Sequence, residues 1–235
     1  MNTQPYIEFD QQLLLLLNGS DSLFWDGLMW IATSTYIWIP VAIILLYIIF
    51  KNNTTKEALI IVGLLILLVI LSDQISSGFC KPFFARYRPT QDPELMYMID
   101  IVNGYRGGKY GFISSHASNT FAIATFMALV LRNSSSIASL FVWAILCTYS
   151  RIYLGVHYPG DVLFGIILGI SIASALYILY HFLQRKYLVQ SHYISNQYTS
   201  SGYLINDIHL LNTTMILTIF VIIIGGFISS HYLYF

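Results

Sequence analysis

Charge is what this sequence has least of. Only 9% of its 235 residues are Asp, Glu, Lys or Arg, whereas a water-facing globular surface carries about 25%. Such a chain cannot clothe itself for solvent in the usual way. The eleven Lys and Arg are balanced by eleven Asp and Glu, which leaves no basic footprint for nucleic acid. Cysteine is nearly absent: Cys80 and Cys147 supply neither a disulfide framework nor metal-ligand spacing. The first twelve residues hold Glu8 and Asp10 but no Lys or Arg, unlike the basic start of a secretory signal peptide. Internal repeats and low-complexity tracts are also missing, which speaks against the inverted repeats common in transporters.

Apolar residues fill the gap. They make up 57% of the chain, mean hydropathy is +0.68, and that composition excludes intrinsic disorder. A membrane-spanning helix takes about 20 residues, and six apolar stretches run over 36–50, 58–79, 117–131, 136–149, 162–182 and 213–228. Open sheet edges are not tolerated in hydrocarbon, so all six are expected as helices. The fold class is therefore all-α: an integral membrane six-helix bundle, with residues 1–235 as a single domain. Residues 7–17, ended by Asn18-Gly19, read as an N-terminal interfacial helix. Trp25, Trp30, Tyr36 and Trp38 read as a belt at headgroup level.

Alternation of the spans puts Lys51, Lys56, Arg132, Arg185 and Lys186 on one side. Lys81, Arg86, Arg88, Arg106, Lys109 and Arg151 fall on the other, with both termini. Five against six does not orient the protein. Discounting Lys81, Arg88 and Arg151, which sit in segments with a chemical look, leaves five against three. The positive-inside rule then puts the second side outside the cytoplasm.

On that outer side the scarce polar residues gather in three segments: 81–89 (KPFFARYRP), 113–118 (ISSHAS) and 150–161 (SRIYLGVHYPGD). Placing Lys, Arg or Asp at membrane depth costs about 3 kcal/mol each, so three such clusters point to a task. Lys81, Arg88 and Arg151 are suited to surround a dianion. Ser114 precedes the third span as a helix cap, and the first-turn N–H groups behind it, with Ser115, form an anion seat. Asp161 is placed to accept from His157 and fix its tautomer, and His116, beside the seat, is the natural proton donor. Asp73, about two turns before Lys81, is a candidate to orient Lys81 or Arg88. Arg86 faces either a substrate headgroup or lipid phosphates. Arg106 and Lys109 read as a second phosphate or sugar contact, or as solvated loop charges. His181, His192, His209 and His231 have no partners at ligand spacing and read as interfacial, and the 184–212 connector reads as tuning access.

These segments resemble the type 2 phosphatidic acid phosphatase family, which includes vanadium haloperoxidases, with its pattern K-x6-RP, PSGH and SR-x5-H-x3-D. Lys81, Arg88-Pro89, Ser114, His116, Ser150-Arg151, His157 and Asp161 occupy the matching positions over about 80 of the 235 residues. The resemblance implies a membrane lipid phosphatase with His157 as nucleophile, a phosphohistidine intermediate, and His116 as acid and then base. It implies phosphate binding by Lys81, Arg88, Arg151, Ser114 and Ser115, with no metal and no cofactor. The expected partners are a lipid phosphate and the membrane, at the outer face of a bacterial inner membrane. Undecaprenyl diphosphate is the favoured substrate and lipid A phosphate the second. Two positions depart from the pattern: Ile113 stands for proline and Ser115 for glycine. If that glycine needs φ > 0, Ser115 is strained by about 1 kcal/mol; if it only presents its N–H, serine serves, and this is the reading adopted. The altered seat also motivates a rival, a lipid-phosphate-binding protein without turnover. An anion transporter is the remaining alternative.

Overall fold

The computed structural model describes residues 4–187 and 196–232. Every regular element among them is helical: α1 (Gln4–Leu17), α2 (Leu23–Ala32), α3 (Ile39–Asn52), α4 (Thr55–Asp73), α5 (Lys81–Phe84), α6 (Ser115–Leu131), α7 (Ser134–Tyr153), α8 (Pro159–Tyr187) and α9 (Ile205–Tyr232). Extended pairing is confined to two isolated bridges, Tyr87 with Tyr110 and Tyr198 with Leu204. The polar connectors set the helix starts. Thr54 caps α4 by accepting from Glu57 N–H, Asn133 caps α7 through Ser135 and Ser136 N–H, and Pro159 opens α8. Among the described residues, five segments are long and apolar enough to cross a membrane: Thr35–Asn52, Thr55–Phe84, Ser134–Tyr153, Pro159–Tyr187 and Ile205–His231. The sixth expected span is the 17-residue α6. The observed helices run beyond the expected spans because capping residues lie outside the apolar runs.

The shortest span lies at the centre. α6 packs against α4, α7 and α8, and Ala117, Phe121, Ala122, Ala124, Phe126, Met127, Val130 and Leu131 are all buried. Its closest neighbour is α8, across Gly165-x-x-x-Gly169. A Cβ at Gly165 would lie 2.6 Å from the Ser114 carbonyl oxygen, and one at Gly169 would collide with the Ser118 carbonyl oxygen. Two backbones can approach this closely only where side chains are absent. That contact aligns the N-termini of α6 and α8, so that Ser114 N–H donates to the Asp161 carbonyl at 3.0 Å. On the α4 side, the buried Ser72 and Ser118 hydroxyls share a hydrogen bond.

The bundle has two polar ends. One holds Lys51 with Asp207 (2.7 Å), Tyr180 with Glu57 (2.8 Å) and Arg132 with Tyr177 (2.6 Å). The other holds the three motif segments, α1, and the outer loop between α5 and α6. α1 is largely exposed on its apolar face, as an interfacial helix should be, but Leu14 is fully buried against Leu95, Ile99, Tyr158 and Val162. The aromatic belt needs correcting. Trp25 and Tyr36 are exposed, whereas Trp38 is buried, donating to the Ala32 carbonyl at 2.9 Å, and Trp30 packs on Tyr105. Trp38, in the short helical turn Thr35–Trp38, packs into the core beside Trp143, and Trp30 is half-buried because α2 packs inward against α7 and α9. Of the 184–212 connector, residues 188–195, including His192, lie outside the described residues. Its described end ties inward, with Asn53 donating to the buried Tyr203 hydroxyl at 2.9 Å and Asn52 accepting from Leu204 N–H.

Candidate active site

Lys81 reaches the site because α4 does not end at Asp73. The helix continues through a π-helical segment, Gln74–Cys80, into α5, and Ala85 terminates it in the left-handed conformation, φ 46°. The wider π repeat stacks three polar groups on one face. Ser77 donates to Asp73 Oδ1 at 3.1 Å, and Lys81 Nζ donates to Ser77 Oγ at 2.7 Å and to Ser115 Oγ at 3.1 Å. Asp73 therefore bears on Lys81 through Ser77.

Ser114 is the buried N-cap of α6, accepting from Ala117 N–H. Its own N–H is taken by Asp161, which leaves its hydroxyl proton free to be donated. Ser115 is helical and is absent from the positive-φ residues, which are Ala85, Asn103 and Arg132 apart from glycine. Serine is thus unstrained here, as the adopted reading expects. The amides of Ser115 and His116 belong to the first turn, where no helical carbonyl can reach them. His116 is half-buried and near enough to Arg151, His157, Arg88 and Lys81 to feel their charge.

His157 lies in the turn between α7 and α8, only 1% exposed. Its Nε2 is 3.0 Å from Arg88 Nη1. A guanidinium only donates, so Nε2 is the unprotonated nitrogen and the neutral ring carries its hydrogen on Nδ1. That nitrogen faces Asp161 Oδ2 at 3.5 Å, near contact but longer than a hydrogen bond, and the Gly111 backbone lies beside the ring. The expected pair is present in looser form. Burial, and after it the charges of Arg88, Arg151 and Lys81, hold the imidazole well below its ordinary pKa. Gly111 makes room: a Cβ there would stand 3.0 Å from Asp161 Oδ2 and 3.5 Å from His157 Nδ1.

Arg88 is fixed by donating to the carbonyls of Tyr110 (3.2 Å) and Val156 (3.0 Å). Its segment is pinned to the outer loop, Arg88 N–H to Lys109 O and Gly111 N–H to Arg86 O. Arg151 is buried with Nη1 on Thr33 Oγ1 at 2.6 Å and Nη2 on the Tyr105 hydroxyl at 3.1 Å, while its buried Nε has no partner among the described residues. None of Lys81, Arg88 and Arg151 is paired with a carboxylate among the described residues. The carboxylates nearby are otherwise engaged. Asp161, fully buried, accepts from Arg86 Nη1 at 2.9 Å and from Tyr158 N–H at 3.1 Å. Arg86 also meets Asp10 at 2.7 Å.

All of Lys81, Arg88, Ser114, Ser115, His116, Arg151, His157 and Asp161 thus come to one end of the bundle. Arg86 turns inward to Asp161 instead of facing lipid. Arg106 holds the loop, donating to the Thr90 carbonyl and receiving the Thr90 hydroxyl, and Lys109 lies over Tyr87 and Tyr110. His181 stacks on Tyr177 and His231 packs on Phe227, both remote from the site. Asp10, Thr33, Ser77 and Tyr105 are site neighbours that sequence reading does not mark. The partners of Asp10, Thr33 and Tyr105 lie far along the chain, whereas Ser77, four residues from both Asp73 and Lys81, stands at a spacing that could have marked it.

Comparison with known proteins identifies the family. Residues 62–185 match the PAP2 superfamily. A lipid A 4'-phosphatase of Porphyromonas gingivalis is 36% identical over 182 residues, covering 77% of each chain. A lipid A 4'-phosphatase of Bacteroides thetaiotaomicron is 37% identical over 164 residues, covering 69% of this chain and 72% of that protein. Among solved structures, LpxE of Aquifex aeolicus superposes with a TM-score of 0.52 at 24% identity, over 70% of this chain and 92% of its own. The PAP2-type phosphatidylglycerolphosphate phosphatase of Bacillus subtilis gives 0.55 at 21% identity, over 80% and 89%. The two structures speak to the fold.

Proposed function

The chain belongs to the PAP2 superfamily and is a membrane lipid phosphatase of that type, and from this premise we propose that it removes the 4'-phosphate of lipid A through a phosphohistidine on His157. The substrate preference formed on the sequence, undecaprenyl diphosphate, gives way to its runner-up, because both curated relatives are lipid A 4'-phosphatases. The whole chain acts as one catalytic unit, with its site at the outer face of the inner membrane. The observation that carries the mechanism is that Lys81, Arg88 and Arg151, none of them paired with a carboxylate among the described residues, gather near His157, whose Nε2 lone pair faces Arg88.

The chemistry follows from that arrangement. Phosphate oxygens take the place of His157 Nε2 as acceptor for Arg88, and Lys81, Arg151, the Ser114 and Ser115 hydroxyls and the first-turn amides of α6 hold the rest. Nε2 attacks phosphorus in line as the P–O bond to the sugar breaks, and His116 protonates the departing sugar oxygen. The phosphorylated ring is cationic, with its Nδ1–H toward Asp161, which stabilises it. Water, losing its proton to His116, then attacks phosphorus, breaks the P–N bond and releases inorganic phosphate. Charge neutralisation and positioning supply the rate enhancement.

Phosphate release by purified protein in detergent with EDTA tests this, on lipid A, undecaprenyl diphosphate, phosphatidylglycerol phosphate and phosphatidic acid, each beside His157→Ala. Lipid A should lose its 4'-phosphate, and the folded variant should be inactive. Undiminished turnover by His157→Ala would overturn the histidine mechanism; turnover confined to another lipid would overturn the substrate.

A further inference from the structure

The mechanism leaves two part-buried charges beside Asp161, those of Arg86 and Asp10, without a role. Arg86 is shared by two carboxylates, Asp161 on Nη1 at 2.9 Å and Asp10 on Nη2 at 2.7 Å, and its guanidinium carbon lies 4.0 Å from the centre of the Tyr158 ring. Asp10 comes from α1, 150 residues away from the backbone it also grips: its Oδ1 accepts from Gly160 N–H at 2.7 Å. Gly160 permits this approach, since a Cβ there would stand 2.7 Å from Asp10 Oδ2. One side chain of the interfacial helix thus holds both the cation that binds Asp161 and the residue before Asp161.

The charges give this contact a consequence. With Asp10 in place, Arg86 and its two carboxylates sum to one negative charge beside His157. Without Asp10 the sum is zero, and the full Arg86 charge bears on Asp161, drawing the carboxylate from Nδ1, which it meets only at 3.5 Å. The charged or titratable groups facing His157 are otherwise Lys81, Arg88, Arg151 and His116, none of them negative. The residual negative charge therefore counts most when the imidazole becomes cationic on phosphorylation.

We propose that Asp10 is a positioning residue for phosphoryl transfer, holding Arg86 and the start of α8 so that Asp161 keeps its net charge for His157. This rests on the reading of His157 as the nucleophile, and it makes α1 part of the active site.

The experiment compares wild type, Asp10→Asn, Asp10→Glu, Gly160→Ala and His157→Ala on lipid A in detergent micelles, at equal amounts of folded protein. Asp10→Asn keeps the shape and loses the charge. Its kcat should fall about tenfold or more while KM stays within about threefold, because the phosphate ligands are untouched. The acid limb of its kcat/KM profile should move to lower pH, as removing a nearby negative charge disfavours imidazolium. Asp10→Glu should restore the limb and much of kcat. Gly160→Ala, which displaces an intact Asp10, should reproduce the loss of kcat should Asp10→Asn fail to fold. Wild-type kcat and an unmoved limb in Asp10→Asn would overturn the proposal, as would wild-type kcat in Gly160→Ala. Activity surviving in His157→Ala would instead overturn the reading beneath it.

Discussion

A histidine that must attack phosphorus at neutral pH has to be uncharged, and the neighbours of His157 arrange this from both sides. Arg88 donates to Nε2, and burial among cations disfavours the imidazolium. The sign of the consequence is fixed by linkage. The unfolded chain binds a proton at this ring near pH 6.5, and the folded chain only well below that. Below about pH 6.5 the unfolded state therefore carries the extra proton, and the substrate-free protein should lose stability as pH falls, by up to about 1.4 kcal/mol per pH unit from this group. Above that pH the group contributes nothing to the slope. Melting temperatures in detergent between pH 7.5 and 5.0 should fall more steeply for wild type than for His157→Gln, and parallel curves would refute the buried neutral ring. Arg88 makes a second test. Lysine keeps its charge but cannot hold two carbonyls and the imidazole together, so Arg88→Lys should lose about a hundredfold in kcat/KM, and a loss under threefold would reduce Arg88 to a point charge. The motif residues were legible because charge at membrane depth is costly and therefore conspicuous. Asp10 was not: it sits on what reads as an interfacial helix, and its partner Arg86 is 76 residues away, a separation that leaves no mark in local spacing.

Helix existence followed from the apolar runs, but the contacts that place the site depend on features those runs hide. The π-helical segment after α4 brings Lys81 to Ser115, and nothing in QISSGFC sets it apart from an ordinary helical turn. Gly165 and Gly169 went unmarked in the sequence, and their four-residue spacing alone does not name a partner. The structure does: both glycines face carbonyl oxygens of α6. Because the collision is with backbone, relaxing it means moving α6 away from α8, and that same motion breaks the Ser114–Asp161 bond. Gly169→Ala should therefore destabilise the protein by about 1–3 kcal/mol and lower kcat as well, since the phosphate seat and Asp161 part company. Thermal unfolding and turnover measured together check this. A stable, fully active Gly169→Ala protein would mean that the two helices are not held at this distance in the membrane.

At the scale of the whole molecule, the division of charge bears on which way the bundle faces. Lys and Arg divide five against six between its ends, a count that orients nothing until the residues with other duties are set aside. The structure enlarges that set. Lys81, Arg88 and Arg151 line the site, Arg86 is neutralised by two carboxylates, and Arg106 is tied into the outer loop. Only Lys109 then remains as a free topogenic charge at the site end. At the opposite end Lys51 is paired with Asp207 but Lys56, Arg132, Arg185 and Lys186 are not in any ion pair among the described residues. The asymmetry favours the site end facing away from the cytoplasm. The protein's own cysteines make this measurable, since Cys80 and Cys147 are both buried and give a low background to a membrane-impermeant maleimide. Glu94, exposed in the outer loop, and Lys56, exposed at the other end, are placed to report. In intact spheroplasts Glu94→Cys should label and Lys56→Cys should label only after lysis. The reverse pattern would put the site in the cytoplasm, where the substrate would have to be met before export to the outer leaflet, and would overturn the assigned location while leaving the histidine chemistry untouched.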